Sequence, residues 1–154
     1  MLLKFNPVVW KHAEFSYQLL QERYAEIDHI VNIHGLSMGT LPTLLNHRAW
    51  LIDNAAHDHY IWEEGGEFLA IVFIRQLEDV AISIESEVGV FVSREHWGRG
   101  VGERALRALF DKYPGCPLHA KINPLNERSK RLFRKLGFNH IAEVWSRDAE
   151  TKSI

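Results

Sequence analysis

Trp97-Gly98-Arg99-Gly100-Val101-Gly102-Glu103 is the stretch whose reading decides the fold. It follows a run of alternating apolar residues and precedes a segment with helical spacing. Glycines alternating at a strand-to-helix junction let several backbone N–H groups point into one concavity. The helix that follows adds its free N-terminal N–H groups and the positive end of its dipole. The stretch therefore reads as a phosphate cradle. Two familiar cradles are excluded by the spacing. A dinucleotide fingerprint needs G-x-G-x-x-G, whereas these glycines run G-x-G-x-G. A P-loop ends in Gly-Lys-Ser/Thr, whereas Gly102 is followed by Glu103 and Arg104. Alternating glycines also occur in plain loops, so the flanking residues carry the decision.

Upstream, Val80, Ile82, Ile84, Ser86, Val88, Val90 and Val92 alternate with a face that carries Ser83, Glu85, Glu87, Gly89 and Phe91, which predicts a strand. Downstream, Gly100 to Lys112 has Val101, Ala105, Ala108 and Leu109 on one helical face, and Tyr113-Pro114-Gly115 ends it. Leu118 to Ile122 reads as a short strand. Asn126 to Leu136 reads as a helix closed by Gly137, and Phe138 to Trp145 as a last strand. Nearer the start, His59 to Trp62 and Glu67 to Ile74 flank Glu63-Glu64-Gly65-Gly66, a hairpin signal. Residues 2–5 form a candidate first strand. Pro7 opens a helix with Val9, Ala13, Tyr17, Leu20, Tyr24 and Ile27 at helical spacing. Ile33 to Gly39 reads as a loop. A second helix, capped by Thr40 with Pro42 in its first turn, runs to about Ala56 and turns Leu44, Leu45, Trp50 and Leu51 largely inward. The order β-α-α-β-β-β-α-β-α-β predicts an α/β (mixed α+β) single domain over residues 1–154, with a mixed central sheet and helices on its faces.

The composition, 46% hydrophobic and 25% charged over 154 residues, is that of one ordinary globular domain. A net charge of −2 speaks against a general nucleic-acid or anionic-membrane surface. Cys116 is the single cysteine, so no intramolecular disulfide forms. The first residues lack the charged start and apolar run of a signal peptide, and no stretch has the apolar length of a membrane span. A cytoplasmic location is the expectation. Among nine histidines the tightest group is His57-Asp58-His59. Two ligands do not fix a structural zinc, which takes four, so no metal is expected.

Two ordered blocks carry a family likeness. The first is Glu87-Val88-Gly89-Val90-Phe91-Val92 followed by Glu95-His96-Trp97-Gly98-Arg99-Gly100-Val101-Gly102-Glu103. The second is Asn126-Glu127-Arg128-Ser129-Lys130-Arg131-Leu132-Phe133-Arg134-Lys135-Leu136-Gly137-Phe138. Together they resemble the GNAT superfamily of N-acetyltransferases, and within it the branch of Rim-type ribosomal-protein N-terminal acetyltransferases and their small-molecule relatives. The likeness covers residues 80–140 well and the first third only loosely, through His47-Arg48-Ala49-Trp50-Leu51.

The resemblance implies acetyl-CoA as co-substrate and two parallel strands, 80–93 and 117–122, that splay apart around its pantetheine arm. Residues Gly98, Arg99, Gly100, Val101, Gly102 and Glu103 would hold the pyrophosphate. The main chain of Phe91 and Val92 would bond the arm. Trp97 counts with the coenzyme-binding loop by the resemblance and stands where many members have Arg or Gln; packing under the loop is its plain role. Asn126 and Ser129 would meet the coenzyme or an ordered water, although Asn126 is also simply a good N-cap. Lys130, Arg131, Arg134 and Lys135 form a basic helix face.

An attacking amine must lose a proton. Glu87 leads as the base and Glu85, two residues earlier on the same nominal face, is the alternative; a family bulge in this strand would shift that parity. Phe133 stands where many members have a Tyr acid. A thiol with a pKa of about 8.5 leaves without one, so no catalytic acid is assigned. Trp50, His57 and His59 are candidate acceptor contacts. The expected acceptor is a primary amine on a small molecule such as an amino sugar, an amino acid or a polyamine. A protein or peptide N-terminus comes second. A module that binds acyl-CoA without turnover is the non-enzymatic alternative. The short reach of the chain past Trp145 leaves a sheet edge that a partner subunit could complete, so a homodimer is allowed.

Overall fold

Three successive alternating runs build the centre of the sheet. The computed structural model describes residues 1–26, 40–54, 58–78 and 84–141. In it β2 (Asp58–Glu64), β3 (Glu67–Glu78) and β4 (Ile84–Val92) form an antiparallel meander. β1 (Leu2–Lys4) adds antiparallel outside β2, and β5 (Leu118–His119) adds parallel outside β4, giving the order β1-β2-β3-β4-β5. The expected hairpin closes on Gly65 and Gly66, both at positive φ, the two-residue turn that matches strand twist. With α1 (Trp10–Ala25), α2 (Leu44–Asp53), α3 (Val101–Lys112) and α4 (Glu127–Lys135), the fold is the mixed α/β arrangement expected.

The two faces of the sheet are covered differently. On one, Tyr60, Val72, Ile74 and Val88 pack against Ala105, Leu106 and Leu109 of α3 and Phe133 of α4. On the other, Ile61 and Ile71 meet Phe15 and Leu19 of α1, with Phe5, Phe68 and Phe91 alongside. Strand alternation sorts β4 between them: Val88 and Val90 face α3, whereas Glu87, Gly89 and Phe91 face α1. Gly102 sits where α3 crosses the sheet. A Cβ there would lie 3.0 Å from Leu132 and 3.4 Å from Val92, so its glycine serves close packing.

Several sequence expectations are corrected. The buried face of α1 is Ala13, Phe15 and Leu19; of the predicted stripe Ala13 belongs to it, Val9, Tyr17, Leu20 and Tyr24 do not, and Ile27 lies outside the described residues. The helix is covered on two sides, by the sheet and by α2 through Tyr17 Oη donating to the Pro42 carbonyl and Ser16 meeting His47, so its apolar stripe is blurred. The cap of α2 is Thr43, whose Oγ1 accepts from the Asn46 N–H, not Thr40. Leu45 and Trp50 are exposed, and His47 is the buried residue of this helix. β5 is two residues long, not five, because the chain leaves the sheet after His119. Residues 138–141 are not a strand. The remainder of that expected strand, the loop at 33–39 and the part of the long run before Ile84 lie outside the described residues.

Candidate functional site

The site begins where β4 and β5 part. Their parallel pairing is confined to Ser86–Leu118 and Glu87–His119. β4 continues to Val92, and among the described residues no strand lies beside it on that edge. The result is a slot, closed at Glu87 and open towards the loop at 98–100. A cavity of about 330 Å³ fills it and reaches both sheet faces, from Leu19 and Arg23 of α1 to Ser129 and Phe133 of α4.

The register of β4 on β3 runs without a shift from Ala70–Val92 to Glu78–Ile84, so the bulge is absent from this pairing. Main-chain groups then alternate in direction. Ser93 N–H bonds Leu69 across the β3 edge, and Ser86 N–H bonds Pro117 across the β5 edge. By that alternation the N–H and C=O of Val88, Val90 and Val92 face the slot, while those of Phe91 pair with β3 at Ile71. This corrects the expectation for Phe91, whose side chain, not its main chain, borders the cavity. The Val92 carbonyl already accepts from Trp97 Nε1 at 2.9 Å. Val90 was missed because its apolar side chain carries no sign of what its main chain does.

The loop at the open end is shaped by Gly98 and Gly100, at φ +75° and +72°, a region that costs other residues strain. Gly100 caps α3 without a side-chain bond, and the first intrahelical bond is Arg104 N–H to Gly100 O. The N–H groups of Val101, Gly102 and Glu103 precede it and are the free donors of the helix start. Arg104 braces the loop from outside, donating to the Arg99 carbonyl and to both oxygens of Glu64. The Glu103 carboxylate turns away to Lys135 at 2.7 Å and to Arg107. Those hydrogen bonds, Lys135 first, hold its pKa below the usual range. Trp97 is half-buried with the Arg128 guanidinium 3.4 Å over its ring. Burial, the largest cause, lowers the pKa of Arg128. Asn126 Oδ1 caps α4 by accepting from the Ser129 N–H at 3.0 Å.

At the closed end Glu87 is buried, 6% exposed, yet charged neighbours reach it. Arg75 Nη2 lies 2.5 Å and Lys121 Nζ 3.6 Å from its Oε2. Neither cation was foreseen, since Arg75 comes to Glu87 through cross-strand register and Lys121 through the bend after β5. Glu85 stands opposite Leu77 in the β3–β4 register. Above, Arg23 stacks on the Phe91 ring at 4.3 Å, and burial lowers its pKa. Phe133 is a buried ring packed edge-on to Phe138.

The acceptor candidates separate. Trp50 stacks on His47 at the surface of α2 and does not line the cavity. His59 packs on Phe73, one ring removed from it. His57 lies outside the described residues. Ligand atoms of Glu67, Glu95 and His96 gather within 4.8 Å of one another, with both carboxylates exposed.

A mixed sheet that splays beside a glycine loop and helix start has the architecture of an acyl-CoA-dependent N-acetyltransferase. The model of the Acetyltransferase (GNAT) family matches residues 13–138, and the chain belongs to that family. Acetyl-CoA is its co-substrate. Solved structures share the fold. An N-acetyltransferase from Staphylococcus aureus Mu50 superposes with a TM-score of 0.64 at 19% identity, over 92% of this chain and 84% of that one. A ribosomal-protein-alanine N-acetyltransferase from Brucella melitensis gives 0.65 at 19%, over 92% and 86%. The aminoglycoside N-acetyltransferase AAC(6')-Iy in complex with CoA gives 0.66 at 15%, over 98% and 95%. No curated protein matches the chain in sequence. Among the described residues no helix is long and apolar enough to cross a membrane.

Proposed function

We propose that this GNAT enzyme acetylates a primary amine on a small molecule, as a relative of the Rim-type branch, with the β4–β5 slot holding the coenzyme. The observation that carries the reading is the slot itself, with free helix-start N–H groups at one end and a carboxylate held by two cations at the other. Its residues fit the coenzyme. Val101, Gly102 and Glu103 offer main-chain donors to phosphate oxygens, assisted by the loop at Gly98, Arg99 and Gly100. Val88 and Val90, with the Val92 N–H, offer donors and acceptors at strand spacing to the amides of the pantetheine arm. Asn126 and Ser129 form the opposite wall with Phe133.

Acetyl-CoA supplies an acetyl group activated as a thioester. Glu87 takes the amine's proton, directly or through one water. Arg75 and Lys121 both meet its Oε2, which leaves Oε1 to accept the proton. The slot keeps the thioester and the amine in line, so proximity does most of the work. Leu132 and Phe133 line the slot with apolar surface that would keep water from the bound thioester.

Thiol release from acetyl-CoA, followed with a panel of amino sugars, amino acids, polyamines and peptide N-termini, tests this reading. Turnover with small amines is expected. Turnover confined to peptides would make the chain an N-terminal acetyltransferase. Coenzyme binding with no turnover on any amine would reduce it to an acyl-CoA-binding module.

A further inference from the structure

We propose that Phe73 is the residue that limits the transferred acyl group to two carbons. The inference rests on the coenzyme slot argued above and deepens it. Phe73 lies directly opposite Gly89 in the β3–β4 register, and its ring leans over that glycine. A Cβ built on Gly89 would collide with Cε1 and Cζ of Phe73, so the ring occupies the space that a side chain at residue 89 would need. The ring is wedged between Phe91, stacked at 6.0 Å and 28°, and His59 at 5.5 Å. Such packing on both sides holds its rotamer. Phe73, Gly89 and Glu87 all line the same cavity.

The slot fixes what lies beneath that ring. An arm anchored by its phosphates at the start of α3 enters beside Val92 and runs along β4 towards Val88. It can go no further than Glu87, where β5 closes the slot. Its thioester therefore stops at the level of Gly89, next to the carboxylate that accepts the amine's proton. In the transfer the amine nitrogen forms a bond to the thioester carbon and the C–S bond breaks. The thiolate leaves with the electron pair, and Glu87 receives the amine's proton. The acyl chain, attached to that carbon on the α1 face, points at the Phe73 ring. A methyl group fits beneath it; each added methylene must displace a ring that Phe91 and His59 flank on two sides.

Calorimetric titration of the intact protein with CoA, acetyl-CoA and butyryl-CoA, alongside thiol release from both esters, tests this. Wild type should bind acetyl-CoA at least about tenfold more tightly than butyryl-CoA, since a single methylene in an apolar site discriminates by about 10–200-fold and butyryl adds two. Phe73→Ala should bring the two esters within about threefold by the same scale, while affinity for CoA itself stays unchanged. Phe73→Leu, a smaller change for the fold, should shift the ratio in the same direction. Equal binding of the two esters by wild type overturns the inference without any variant. So does a folded Phe73→Ala or Phe73→Leu protein that keeps the wild-type ratio. Failure of all three ligands to bind would instead overturn the coenzyme slot itself.

Discussion

The indole N–H of Trp97 donates to the main-chain carbonyl of Val92 at 2.9 Å, which ties the glycine loop to the last residue of the strand it leaves. Regular alternation turns that carbonyl into the slot. Trp97 therefore satisfies a group that a bound arm would otherwise meet, and it sets where the phosphate end of the slot begins. The Arg128 guanidinium stacks over the same ring at 3.4 Å. Trp97→Phe keeps an aromatic ring and removes the donor. It should lower unfolding stability by about 1 kcal/mol, the ordinary worth of such a bond. Affinity for CoA should fall, with kcat at saturation retained. Urea unfolding and a CoA titration read the two effects, and unchanged stability with unchanged affinity would remove Trp97 from this role.

The loop's shape matters more than the charge around it. Gly100 has φ +72° and a Cβ there would also stand 3.1 Å from Arg104 Nη1. Gly100→Val should abolish the thermal shift given by acetyl-CoA, which at about 100 times Kd corresponds to about 2.7 kcal/mol. Lys130 is engaged with Glu127 at 2.6 Å on the outside of α4, so Lys130→Ala should leave the shift nearly intact. A thermal melt series settles it; a Gly100→Val protein that keeps the full shift argues against the cradle.

The loop and α3 were legible because their signals are local. A left-handed backbone selects glycine at residue 100, and α3 shows a clean stripe because only one of its faces is buried. α1 was misread because two partners cover it, and α2 because Leu45 and Trp50 lie outward. The residues that surround the reacting end were the least legible. Phe73 and Arg75 belong to β3 and reach Gly89 and Glu87 only through strand register. The tight turn at Gly65-Gly66 fixes the register of β2 on β3, but no comparable turn signal in the sequence fixes which residue of β3 stands opposite which of β4. The direction of the Val90 main chain depends on the same register.

Glu87→Gln separates chemistry from binding. The substitution keeps size and removes the proton acceptor, so kcat/KM should fall by about 100- to 10,000-fold, the usual worth of a general base. The affinity for CoA should change little. Amines of low pKa, already neutral, should be partly rescued. Arg75 loses its 2.5 Å partner in this variant, so a modest loss of stability should accompany the kinetic change. Steady-state kinetics across an amine series reads this. A fully active Glu87→Gln with an inactive Glu85→Gln would move the base to Glu85.

Stability should weaken on the acid side, and His47 is a named source. It is buried between α1 and α2, with its Nε2 3.0 Å from Ser16 Oγ. Burial first, and the nearby Arg23 charge second, lower its pKa below 6.5. The folded state therefore resists protonating His47, while the unfolded chain takes up a proton at the ordinary value. Above pH 6.5 both states hold it neutral and its stabilising contribution is whole. As pH falls through 6.5 towards the lower folded value, the unfolded state binds more protons and stability drops. His12, also lowered by burial, adds in the same direction. His47→Gln keeps a polar partner for Ser16 and cannot titrate. Its melting temperature should decline less steeply between pH 7 and pH 5.5 than that of wild type, a window of about one unit below the unfolded His pKa. Parallel curves for the two proteins would assign the acid loss elsewhere.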